Sequence, residues 1–316
     1  VNLSLFAPEE LPLKTKLTPR LKSLAAEGIL IGTSSWKYEG WLGQLYSPER
    51  YVTRGRHSHK KFEESCLAEY GEIFPAVCGD FSFYQFPSPA FWQKLFTTAP
   101  PPLRFAFKVP EEITVRQWPA HARYGARGGL RNGTFLDAGL FRTAFTDPLQ
   151  PYAGRVASVI FEFSPVARPN LDEFLSELEP FLKRLPEDFR YAVEIRNPEF
   201  LEPEYLALLK RYGVAHVLNS WTRMPELAEQ LRLPEIFTSD FFVVRALLRP
   251  GRAYEEAVKI FSPYTQVRDA NEPIRRTLRE LIAGARTSGR RGMIFVNNRL
   301  EGNAPGTIEA VLDDLA

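Results

Sequence analysis

The chain has 316 residues, of which 44% are hydrophobic and 25% charged, with a formal net charge of +2 at pH 7. Those proportions exclude a disordered or low-complexity protein, and the near-neutral balance excludes whole-molecule attraction to nucleic acid or anionic lipid, so any electrostatic function is local. No apolar run approaches the roughly 20 residues that cross a bilayer, and the first ten residues show neither a basic leader nor an apolar signal core; a cytoplasmic protein without membrane association is expected.

Residues 1–28 read as an N-terminal extension with a helix around Pro19–Glu27. From there, eight short apolar runs rich in β-branched and aromatic residues recur: Ile29–Trp36, Ala76–Tyr84, Arg104–Pro110, Arg155–Ser164, Arg190–Asn197, Val214–Trp221, Asp240–Leu247 and Arg291–Asn298. Most are separated by stretches of helical periodicity. Leu171, Phe174, Leu175, Leu178, Phe181 and Leu182 keep i, i+3, i+4 spacing, and Asn170 with Glu173 three residues later resembles a capping box. The segments Tyr205–Tyr212 and Ile274–Arg286 read the same way. Strand alternating with helix implies parallel strands joined by crossovers, and eight such units close a barrel. The predicted fold is therefore α/β, a single (β/α)8 TIM-like barrel over residues 29–316. An open doubly wound sheet is the alternative, but no strand is followed by the Gly-rich dinucleotide fingerprint that would favour it.

Function in such a barrel collects at the carboxyl ends of the strands. In the fifth strand Val193 and Ile195 share the face that must be apolar to meet a helix, so Glu194 and Arg196 point into the barrel. The same parity turns Glu162, Lys108, Arg245 and Asp80 inward on the fourth, third, seventh and second strands. Buried charges are almost never left unpaired, so three cations and three anions at one mouth are mutually neutralising, solvated or waiting for a ligand.

Aromatic residues gather at the same end: Trp36, Tyr38 and Trp41 follow the first strand, Phe83 and Tyr84 end the second, and Trp221 ends the sixth. Flat rings beside polar groups suit a sugar or a nucleobase, although single aromatics more often pack the core. The long stretch from Pro110 to about Asn132, with Arg116, Arg123, Arg127 and Arg131, reads as a lid or an anion-binding loop, or as a solvated basic loop without a role. The run from Asn297 to Gly306, containing Asn298 and Asn303, offers backbone N–H groups where barrels often hold phosphate, or else ordinary turn residues.

Cys66 and Cys78 are expected to be free, buried thiols. Of the four histidines, only His216 lies in a predicted strand. His57 and His59 sit in a cationic run that opposes a metal, so neither a metal site nor a cofactor is expected.

Several segments together are similar to the YecE-like family, also called domain of unknown function 72: Gly32-Thr-Ser-Ser-Trp36 with Tyr38, Trp41 and Gly43; Phe83-Tyr84; Phe105-Ala-Phe-Lys108 with Ile113-Thr114; Val193-Glu-Ile-Arg196; Arg245; and Phe295-Val-Asn-Asn298 followed by Gly302-Asn-Ala-Pro305. The resemblance implies the same barrel and a family without a secure activity. The chain looks like a divergent member: it has Asp80 where family members tend to have Asn, Glu162-Phe-Ser164 where Gln-Phe-Pro is usual, and Asn197 where His is common.

The leading expectation is an enzyme, or a descendant of one, for a small anionic molecule such as a sugar phosphate or nucleotide-like compound. Glu194 and Glu162 are its candidate acid/base groups, Lys108, Arg196 and Arg245 its anion holders, with Asn297, Asn298, Asn303, Trp36, Tyr38, Tyr84 and Trp221 as further ligand-binding candidates. One alternative is a nucleic-acid-binding or -processing protein that stacks bases at the mouth and grips phosphates with the third loop. Another is a non-catalytic scaffold plugged by a structural charge cluster.

Overall fold

The computed structural model describes residues 11–315; residues 1–10 of the expected N-terminal extension lie outside the described residues. Eight parallel strands close a barrel: β1 Ile29–Thr33, β2 Ala76–Gly79, β3 Arg104–Lys108, β4 Val156–Glu162, β5 Tyr191–Glu194, β6 Ala215–Asn219, β7 Phe241–Ala246 and β8 Arg291–Val296. Each pairs with its successor in sequence, and β8 returns to β1 with Ile29 opposite Gly292 and Thr33 opposite Val296. Closure leaves the barrel sheet without an edge. The chain is thus the (β/α)8 barrel that the strand–helix alternation predicts. Every strand stops short of the carboxyl end of its apolar run, because composition marks burial and not ladder bonds. Trp36, Tyr84, Asn197 and Trp221 lie in the loops beyond, and Asn298 opens a short helical turn, Asn298–Glu301.

Strand parity divides the core into two layers. Cys78, Ala106, Ile160, Ala192, Val217, Val243 and Phe295 fill the barrel itself, whereas Val77, Phe105, Phe107, Phe161, Val193, Val244 and Ile294 belong to the shell under the helices. Each such large side chain contributes about 1.5–3 kcal/mol on burial. Close strand approach needs a residue without a side chain at Gly32, where a Cβ would stand 1.8 Å from the Ala76 carbonyl oxygen of β2.

The longer helices are α1 Pro12–Ala26, α2 His59–Ile73, α3 Pro89–Thr98, α4 Leu171–Leu182, α5 Pro203–Arg211, α6 Tyr254–Phe261, α7 Glu272–Ser288 and α8 Ala304–Asp313. The first begins earlier than Pro19, since Pro12 suits a first helical turn, and it buries Leu17, Leu21 and Leu24 on one face. At α4 the Asn170 side chain accepts from the Glu173 N–H at 3.1 Å. Only that half of the expected capping box forms, because the Glu173 carboxylate lies 2.8 Å from Arg116 Nη1.

The stretch after β3 is not an open basic loop. It holds a short helical turn, Glu111–Thr114, and a 3-10 segment, Ala122–Arg127, before helical turns between Ala138 and Arg155. Its arginines are paired with carboxylates: Arg116 with Glu173 and Glu177, Arg123 with Glu111, Arg127 with Glu112, and Arg131 with Glu177. These pairs brace the loop against its own base and against α4.

Candidate functional site

Inward parity and the barrel radius bring the ends of five strands to one point. Lys108 ends β3, Glu162 ends β4, Glu194 ends β5 and Arg245 is next to last in β7, while Asp80 and Arg196 stand just beyond β2 and β5. Lys108 Nζ lies 3.0 Å from Glu162 Oε2 and 3.2 Å from Asp80 Oδ1. Arg196 Nη2 lies 3.0 Å from Glu162 Oε2 and 2.6 Å from Glu194 Oε1. Arg245 Nη1 lies 2.6 Å from both Glu162 Oε2 and Glu194 Oε2, and its Nη2 lies 3.5 Å from Asp80 Oδ1. The Glu194 side chain is fully buried and that of Asp80 is 38% exposed, so Asp80 is the face this cluster turns to solvent.

The three cations and three carboxylates cancel in formal charge. Burial pushes the Glu162 carboxyl up, but Arg196, Lys108 and Arg245 together outweigh it and hold the group well below its ordinary range. Burial likewise pushes Lys108 down, and Glu162 and Asp80 more than reverse it, leaving the ammonium raised. Arg245 is raised too: burial opposes its charge, and Glu194 leads the groups that favour it. Glu162, Lys108 and Arg245 are therefore held in their charged forms by their neighbours.

Not every donor is used. Arg196 Nε and Nη1 and Arg245 Nε are buried without a hydrogen-bond partner among the described residues. A buried donor left unmade costs about 1–3 kcal/mol, and the same cluster leaves Asp80 Oδ1 and Glu194 Oε1 without a hydrogen bond. The Arg196 guanidinium lies 4.1 Å from the centre of the Trp221 ring, and Lys108 Nζ lies 4.1 Å from that of Phe83.

The remaining candidates separate into three groups. Trp36 and Tyr38 line a cavity of about 560 Å³ together with Asp80, and burial pushes the Tyr38 hydroxyl up to about 12, so it remains a neutral phenol. Tyr84 is exposed, with the Arg123 guanidinium 4.5 Å from its ring. Asn297, Asn298 and Asn303 accept from the N–H groups of Arg299, Ala304 and Gly306 at 2.9, 2.7 and 2.7 Å. The backbone donors that looked available for phosphate are therefore occupied by side-chain caps, and of these amides Asn298 Nδ2 is buried without a partner. A larger concavity of about 790 Å³ lies at the opposite, amino end of the barrel, near Gly213, Asp240 and Arg290. It holds no comparable charge cluster.

Sequence reasoning missed Asn219, whose parity on β6 is inward and whose amide donates to the Ile195 and Val217 carbonyls at 3.2 and 3.3 Å. An inward polar residue at a strand end was the available signal. His57 Nε2 and His59 Nδ1 both approach Glu39 Oε1, at 2.7 and 2.8 Å. No group of three or more His, Cys, Asp or Glu suited to a metal occurs among the described residues, and none of their helices is long and apolar enough to cross a membrane.

A family model described as "Protein of unknown function DUF72" matches residues 30–316. The fold is similar to that of a DUF72 family protein from Thermotoga maritima, at 19% identity and a TM-score of 0.60, covering 90% of this chain and 96% of that one. It is also similar to a DUF72 family protein from Enterococcus faecalis, at 16% identity and a TM-score of 0.60, covering 90% and 95%. No curated protein matches the chain.

Proposed function

The chain belongs to the family of proteins of unknown function DUF72, and from that premise we propose that its barrel mouth binds a small anionic molecule, of the sugar phosphate or nucleotide-like class. The observation that carries this reading is the set of buried, unpartnered N–H groups on Arg196 and Arg245. Guanidinium N–H donors suit phosphate and carboxylate oxygens, and the site stands where barrels of this type do their chemistry. Lys108, Arg196 and Arg245 hold the anion. Glu162, ionised and shared among three cations, anchors them and is a poor proton carrier near neutral pH. Proton transfer at this site falls to Glu194, whose Oε1 is released when an anion draws Arg196 away.

The formal neutrality of the cluster favours a second reading, a structural plug. Nucleic-acid binding loses its main support, because the loop cations it invoked are paired with carboxylates. A thermal-shift screen of phosphorylated sugars, nucleotides and short oligonucleotides separates the three. A ligand at 100 times its Kd stabilises by about 2.7 kcal/mol. Stabilisation of the wild type by a small phosphate ester, insensitive to salt and absent in a folded Arg196→Lys variant, supports the site. No stabilisation by any compound supports the plug, and stabilisation only by oligonucleotides that fades steeply with salt supports nucleic acid.

A further inference from the structure

We propose that the cavity running from the β1 and β2 loops down between α2 and α3 takes a planar aromatic group that carries an anion, the chemistry of a nucleoside monophosphate. The proposal rests on the reading that the mouth accepts a small anionic molecule, and it adds where the rest of that molecule lies and what it is.

The cavity, about 560 Å³, is within the range of small-molecule sites. Its apolar wall is a run of rings. Trp36 meets Phe81 edge-on with centroids 6.0 Å apart, and Phe81 meets Phe91 at 5.0 Å. Phe91 is 38% exposed at the rim, which leaves part of its ring open to a stacking ligand. The position of Phe81 depends on Gly79, where a Cβ would stand 2.4 Å from the Phe81 ring. A wall of several rings exceeds what one sugar face covers and fits a nucleobase, whose stacking on aromatic side chains contributes about 1–3 kcal/mol per base.

The charges lining the cavity are unequally committed. Glu63 lies 3.6 Å from His59, Glu64 lies 4.0 Å from Lys60, and Asp80 belongs to the buried cluster. Lys37, Lys94 and Arg299 also line the cavity, and among the described residues none of them has a carboxylate within 4.0 Å. Arg299 rests on the Tyr254 ring, 4.4 Å from its centre. Glu63 and Glu64 are held only in exposed pairs of little strength, so it is the three cations without a close carboxylate that suit the cavity to an anion. Asp80, at its inner end, is placed to accept from ligand hydroxyls, and it joins this cavity to Lys108 and Arg245.

The test is calorimetric titration of the full chain with adenosine 5′-monophosphate, adenosine, ribose 5-phosphate and inorganic phosphate. It is repeated on Phe91→Ala, Arg299→Gln and Arg196→Lys, each first shown to melt as the wild type does. The expected result is that the nucleotide binds the wild type more tightly than any of its parts and binds Phe91→Ala and Arg299→Gln about tenfold more weakly. Ribose 5-phosphate binding as tightly as the nucleotide overturns the aromatic assignment. Nucleotide affinity unchanged in both cavity variants but lost in Arg196→Lys overturns this proposal and leaves the mouth reading intact. No binding of any anionic probe to the wild type removes both.

Discussion

Arg245 donates through Nη1 to Glu194 Oε2 at 2.6 Å, a contact between residues 51 positions apart whose side chains are both buried. The same nitrogen reaches Glu162, so one guanidinium of β7 ties β4 and β5 together across the barrel. Arg245→Met leaves the two carboxylates undercompensated and is expected to destabilise by about 3–5 kcal/mol, a fall in Tm on the order of 10 °C for a chain of this size. Replacing Glu194 by Met in the same protein should recover part of the loss. A single-variant cost under about 1 kcal/mol would show that the cluster is wet and not buried.

Acid should attack this cluster only at low pH. The folded-state pKa of Glu162 is depressed, so its contribution is complete above the unfolded value of about 4.3 and is lost as pH falls through the folded one. Lys108 is raised, so its contribution is complete below about 10.4 and is lost as pH rises through the folded value. Glu162→Gln should flatten the stability curve below about pH 4 and leave its shape near neutrality unchanged. An unaltered acid limb in denaturant titrations would contradict this.

A second proton-linked loss comes earlier and from another layer. Burial pushes the His216 imidazole down to about 4, beneath α5, where Nδ1 lies 3.1 Å from the Tyr205 hydroxyl. A depressed histidine is neutral in the fold and takes up its proton more readily in the unfolded chain. Its contribution is therefore complete above about 6.5 and declines toward pH 4, by up to about 3 kcal/mol. His216→Gln, even if less stable overall, should lose the slope between pH 6.5 and 4. The slope persisting in that variant assigns it elsewhere.

The third loop should loosen without unfolding the barrel. Arg123 and Tyr124 both engage Glu111 at the loop's base. Glu111→Gln weakens both contacts, and for partly exposed pairs the global cost should be about 1 kcal/mol or less. Hydrogen exchange over residues 115–131 should speed up while the strands keep their protection. Equal acceleration in β3 and β4 would mean that the loop is part of the core.

The thiols should be inert in the native protein. Cys66 and Cys78 are free and buried, and burial pushes each up to about 12, so little thiolate exists at neutral pH. Mass spectrometry after iodoacetamide treatment should find no alkylation until denaturant is added. Rapid native labelling of either residue would refute the burial.

Much of this molecule is written in local pattern. Helical spacing alternating with short β-branched runs determined the barrel, and the two-residue period of a strand determined that Lys108, Glu162, Glu194, Arg196 and Arg245 face its interior, because both follow from backbone geometry that each segment carries alone. Which charges meet was decided only by closure. Arg245 reaches Glu162 across 83 positions, a separation on which no local period bears, and strand register and barrel radius set the distance. The same holds where the structure redirects side chains. Arg116 and Arg131 of the third loop look like free cations until α4 presents Glu173 and Glu177, and the backbone N–H groups of Arg299, Ala304 and Gly306 look free for phosphate until the side-chain oxygens of Asn297, Asn298 and Asn303 occupy them. Phe91 and Arg299, 208 positions apart in the chain, share a cavity only because β8 returns beside β1, and no reading of either segment by itself contains that neighbourhood.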